Sequence, residues 1–123
     1  MGQNTPSIEP FLPLRPVEFQ ILLSLSAGER HGYGILRDAG ERMGSPVRWG
    51  LGTLYRALRR LVDRGLIEGT DRRPAPDEDD ERRNYYGLTP LGERVVRAEA
   101  QRLESLVAAA RSTGVLGPAR SRR

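Results

Sequence analysis

The sequence predicts a mainly α-helical chain with a small β-hairpin, arranged as a winged helix–turn–helix followed by a long C-terminal helix. Three observations predict it. Three short segments with helical apolar spacing come first, at about 16–28, 32–43 and 52–64. The period then changes to two strand-like runs on either side of a polar loop. One long amphipathic segment, 90–114, closes the order helix, helix, helix, strand, strand, helix.

Each element follows from local chemistry. Residues 1–15 hold Pro6, Pro10 and Pro13 and no periodicity. They read as a flexible N-terminal tail from which Phe11 and Leu12 can reach the domain. Pro16 suits the first turn of a helix. That helix carries Phe19, Ile21, Leu22, Leu23 and Leu25 to a left-handed cap at Gly28. Being apolar nearly all round, it belongs at the centre. The second helix runs from Gly32 to Met43, with Ile35, Leu36, Ala39 and Met43 apolar, and Gly44-Ser45-Pro46 ends it. The third runs from Gly52 to Arg64 with Leu54, Leu58, Leu61 and Val62 in one stripe, and Gly65 closes it. Leu66–Thr70 and Asn84–Leu88 are the strands, joined by the loop Asp71–Arg83. Thr89 caps the last helix and Pro90 opens it. At 1.5 Å per residue it reaches roughly 36 Å, longer than so small a domain needs. The organisation is therefore a tail over 1–15, a winged helix–turn–helix over 16–89, the long helix over 90–114, and a basic disordered tail over 115–123.

Composition narrows the function. The chain has 123 residues, enough for one modest core. It has no cysteine, so thiolate and disulfide chemistry are excluded. No apolar run approaches the ~18 residues of a membrane span. The first residues, Met1–Pro6, lack the basic start and apolar run of a secretory leader, so a cytoplasmic location is expected. All 20 basic residues are arginine, against 16 acids, for a net charge of +4. The loop over 77–81 concentrates acid, leaving the rest of the chain basic. That balance permits a polyanionic partner.

The third helix carries the strongest candidate site. Thr53, Arg56, Arg59, Arg60 and Asp63 lie opposite its apolar stripe. A major groove admits one helix, and arginine pairs bidentately with guanine O6 and N7. The alternative is an ordinary solvated face, and the short Gly50-Leu51-Gly52 lead-in with the following hairpin favours DNA. His31 is the only histidine. A zinc site needs about four ligands, so His31 reads as a polar residue at a helix start, and no metal or cofactor is expected. Tyr33 is placed either to donate to a phosphate or to pack. No G-x-G-x-x-G, P-loop or G-x-S-x-G pattern is present, and the carboxylates at 77–81 are solvated charge rather than an acid–base pair. No enzyme is indicated.

On the last helix, Leu91, Val95, Ala98, Leu103, Leu106, Val107 and Ala110 exceed what one small domain covers from one side. They form a candidate homodimer face. The helix has no aromatic residue, and the single Trp49 precedes the third helix. A small-molecule effector of unidentified chemistry, if it is a flat aromatic, would lack a stacking platform at that face. Trp49 reads as packing or as a ligand contact.

Several motifs occur in order: Glu29-Arg30-His31-Gly32-Tyr33, Gly52-Thr53-Leu54-Tyr55, Leu58-Arg59-Arg60-Leu61, Gly65-Leu66-Ile67, and Arg83-Asn84-Tyr85-Tyr86-Gly87-Leu88-Thr89-Pro90-Leu91-Gly92. Together they resemble the PadR-like family of bacterial transcriptional regulators over roughly residues 17–113, and the single helix after the hairpin resembles its short-C-terminus subfamily. The resemblance implies a homodimeric winged-helix repressor on a palindromic operator in double-stranded DNA. It implies that Thr53, Tyr55, Arg59 and Arg60 face DNA, that Tyr33 lies near the backbone, and that the final helix dimerises. Arg56 stands where members commonly have proline, and an added phosphate or base contact there is an expectation of the resemblance. The acidic hairpin tip is repelled by phosphate, so Arg72, Arg73, Arg82 and Arg83 at its base are the better contacts. The competing reading is a winged-helix module that binds protein and never DNA.

Overall fold

The computed structural model describes residues 7–45, 47–70 and 84–117. Among the described residues the domain has four α-helices and three short strands: α1 (Pro16–Ser26), β1 (Arg30–His31), α2 (Gly32–Met43), α3 (Leu51–Asp63), β2 (Ile67–Gly69), β3 (Tyr85–Leu88) and α4 (Pro90–Ser112). α1 is central: Ile21, Leu22 and Leu25 are buried, and α2, α3, α4 and β3 all pack against it. It stops at Ser26. Gly28 has φ +144°, which makes it a link into β1 rather than the left-handed cap that was expected.

The predicted hairpin is part of a three-stranded antiparallel sheet in the order β1-β3-β2. β3 is its middle strand, pairing Ile67 with Leu88 on one side and His31 with Tyr85 on the other. The sequence reading missed β1 because two residues show no alternation. Only the edge offered by β3 makes them a strand.

The helix boundaries have local causes. His31 Nδ1 accepts from Gly34 N at 3.0 Å and caps α2, which ends on Gly44 at φ +77°. α3 buries Leu54, Ala57, Leu58 and Leu61. Val62, expected in that stripe, is 41% exposed, and Ala57 takes its place in the core. α3 closes through Gly65 N to Val62 O and Leu66 N to Leu61 O, both 3.0 Å, with Gly65 left-handed.

Thr89 joins the end of α3 to the start of α4. Its Oγ1 donates to Gly65 O at 2.6 Å and accepts from Gly92 N at 3.0 Å. A Cβ on Gly92 would lie 2.0 Å from Leu66 O, so only glycine lets α4 sit this close to the sheet.

The described part of the expected tail is packed on the domain. Leu14 is buried in the core, and Ile8, Phe11 and Leu12 lie against it. Arg64 stacks over the Phe11 ring at 4.6 Å, and Leu14 N donates to Glu99 Oε2 at 3.3 Å. The apolar residues between the prolines supply that contact, and the prolines hid their pattern.

Candidate nucleic-acid interface

α3 has one face sunk into the core and the other at the surface. Arg56 and Arg59 are exposed, while Thr53, Tyr55 and Arg60 are half-buried. Arg56 folds back over the first turn, its Nη2 lying 3.5 Å from Thr53 Oγ1. A Cβ on Gly52 would come within 3.1 Å of Arg56 Nη1, so the glycine leaves room for that guanidinium.

Arg60 is held differently. Its Nε donates to Glu18 Oε2 at 2.9 Å, and Glu18 is almost fully buried on α1. Of the Arg60 side chain, 39% stays exposed. The sequence reading missed Glu18, because an acid in a helix first turn ordinarily reads as a surface charge answering the helix dipole.

Tyr55 closes on the start of α2. A Cβ on Gly32 would meet Tyr55 Oη at 2.5 Å, so the glycine after His31 is what admits the phenol. Tyr33 is half-buried near His31, with ring centroids 6.5 Å apart, and Tyr85 packs edge-on to the same imidazole at 5.2 Å. The structure thus gathers Tyr33, Tyr55 and His31 around the α2 N-terminus, beside α3. Arg72, Arg73, Arg82 and Arg83 lie outside the described residues.

Two polar clusters hold carboxylates elsewhere in the fold. Asp38 on α2 accepts from Ser24 Oγ at 2.8 Å and from Arg42 Nη1 at 2.7 Å, with Arg30 3.5 Å away. Burial pushes its carboxyl up. The hydrogen bonds from Ser24 and Arg42 and the charges of Arg30 and Arg42 outweigh burial and hold it below the ordinary value. On α4, Arg102 donates to both oxygens of buried Glu99, at 2.7 and 2.8 Å. Those bonds, against burial, hold Glu99 below the ordinary carboxylate value.

The expected dimer face divides in two. Val95 is fully buried in its own core, and Leu91 and Ala98 are half-buried beside it. This corrects the expectation of one continuous partner-facing stripe: α1 and β3 already cover the first half of α4. Further along, Leu103 and Ala110 are half-buried, while Leu106 is 54% and Val107 42% exposed.

Trp49 is half-buried and lines an open cavity of about 700 Å³ with Leu36, Gly40, Gly44 and Val47, along α2 and the turn into α3. Among the described residues, no group of three or more His, Asp or Glu is placed to hold a metal ion, and no helix is long and apolar enough to cross a membrane.

The sequence model of the transcriptional regulator PadR-like family matches residues 21–98. A PadR family transcription regulator from hypervirulent Clostridium difficile is 25% identical, with a TM-score of 0.66 over 79% of this chain and 96% of that one. A transcriptional regulator from Clostridium thermocellum is 26% identical, with a TM-score of 0.65 over 81% and 90%. RosR of H. salinarum is 28% identical, with a TM-score of 0.56 over 84% and 98%. No curated protein sequence matches the chain.

Proposed function

The chain belongs to the PadR-like family of transcriptional regulators, and on that premise we propose that it is a repressor that binds a palindromic operator as a homodimer. The observation that carries this reading is the exposed Arg56–Arg59 row on α3, backed by a face locked into the core through Leu54, Leu58 and Leu61. A rigid helix with arginines on its outer side fits a major groove, where guanidinium groups read guanine or hold phosphate. Thr53 and Arg60 flank the row. Tyr33 and Tyr55 stand at the α2 N-terminus, where a phosphate is favoured by the helix dipole.

The dimer in this reading forms through the second half of α4, where Leu106 and Val107 are 54% and 42% exposed in the protomer. Two copies of α3 then meet half-sites about one helical turn, roughly 34–36 Å, apart. The single helix after the wing suits the short-C-terminus form. The Trp49 cavity, about 700 Å³, falls in the size range of small-molecule sites, so it offers one place within a single chain for an effector to act. The acidic loop behind the protein-binding alternative lies outside the described residues, and the exposed arginines favour DNA.

Selection of duplexes from a random library by the purified protein tests the reading. The expected result is an inverted repeat protected on one face of the duplex. Recovery of no enriched sequence would overturn it.

A further inference from the structure

We infer that Glu18 is a positioning residue for DNA recognition, acting through Arg60 at the junction of α1 and α3; the inference rests on the DNA-binding reading above. Glu18 is 2% exposed, yet it is ionisable, and one turn further along the same helix Ile21 and Leu22 are fully buried in the core. A buried ion pair is seldom the most stabilising solution at such a place. Well-packed apolar residues of similar volume often do as well or better. What the pair provides instead is direction.

The geometry specifies that direction. Glu18 Oε2 engages Arg60 at Nε, 2.9 Å away. Arginine has five donors in a rigid plane, so engagement at Nε leaves the two Nη groups at the far end of the fork. The Arg60 side chain as a whole keeps 39% exposure beside that buried anchor. Arg56 lies one helical turn earlier on the same face. Anchored at its buried edge, Arg60 presents a fixed end-on pair of N–H donors to a base edge such as guanine O6 and N7, in line with Arg56. Lysine offers no such division, since its single ammonium cannot be both buried anchor and outward fork.

The test uses the full-length protein, the duplex selected by the wild type and a random-sequence duplex of equal length. Glu18→Gln keeps an acceptor at the anchor but removes its charge. It is expected to weaken binding to the selected duplex about tenfold, a free-energy change of ~1.4 kcal/mol. Affinity for the random duplex should stay the same or rise slightly, because a negative charge has been removed. Arg60→Lys should show the same loss of discrimination. The double variant should be no worse than either single variant, since both break one unit. Thermal melting establishes that each variant is folded at the assay temperature; should Glu18→Gln not fold, Arg60→Lys carries the comparison. A wild-type ratio of selected to random affinity in the variants would overturn the inference, as would equal losses on both duplexes or losses that multiply in the double variant. If the wild type selects no duplex, the DNA reading itself falls, an outcome distinct from a wild type that discriminates and a Glu18→Gln that discriminates as well.

Discussion

Arg60 on α3 and Glu18 on α1 meet 2.9 Å apart across the core boundary, with the carboxylate buried and the guanidinium half in water. The asymmetry has a consequence for stability. Arg60→Ala leaves a buried carboxylate without its donor, at a cost of about 1–3 kcal/mol. Glu18→Ala leaves an arginine that swings into solvent at small cost. Urea unfolding of both variants should therefore rank Arg60→Ala as clearly less stable than Glu18→Ala. Equal losses would mean that the pair stabilises the fold symmetrically.

Gly92 and Gly32 separate a structural glycine from a functional one. Gly92→Ala would drive a Cβ against the backbone oxygen of Leu66, which cannot move without shifting α4. A loss of about 1–3 kcal/mol in denaturant midpoint experiments is expected. Gly32→Ala would press on the far end of the Tyr55 side chain, which rotates away more cheaply. That variant should melt closer to the wild type and bind the selected duplex more weakly.

The carboxylates of Asp38 and Glu99 both sit below their ordinary values. A carboxylate depressed by folding contributes stability that is fully present above the unfolded value, about pH 4. That contribution is lost as pH falls through the folded value. Stability should therefore fall on acidification below about pH 5. The gap between wild type and Glu99→Gln should be widest near neutrality and narrow toward the acid end. A gap that does not change with pH would remove Glu99 from the acid sensitivity.

The division of α4 gives two variants with opposite outcomes. Leu106→Glu combined with Val107→Glu alters only exposed positions. It should yield a folded protein that sediments as a monomer at micromolar concentration. Val95→Glu buries a charge in the protomer core, and it should not fold. A wild type that already sediments as a monomer would remove the dimer from the account.

Much of the fold is legible in the sequence because its signals are local. Gly44 and Gly65 end helices by adopting positive φ, Thr89 and Pro90 open one, and α2 spans Gly32–Met43 as its apolar spacing predicts. What stayed hidden depends on partners distant in the chain. β1 exists only against β3. Glu18 reads as a surface acid until Arg60 arrives 42 residues later. Glu99 is buried because Leu14, 85 residues earlier, folds back onto it, a contact that no local pattern signals. For the candidate site, spacing alone gave the arginine row on α3. It could not divide that row into two exposed arginines and one anchored to the core, because periodicity ranks faces of a helix and says nothing of what faces them.

The most direct test of the account is the salt dependence of binding to the selected duplex, wild type against Arg56→Ala/Arg59→Ala. The account predicts a steep fall in wild-type affinity with salt, since arginines that neutralise phosphates release counterions. The double variant should bind at least tenfold more weakly. Its salt slope should be shallower by about one for each arginine that held a phosphate, and unchanged for one that read a base. Wild-type affinity and wild-type slope in the double variant would contradict the assignment of α3 as the helix that meets DNA.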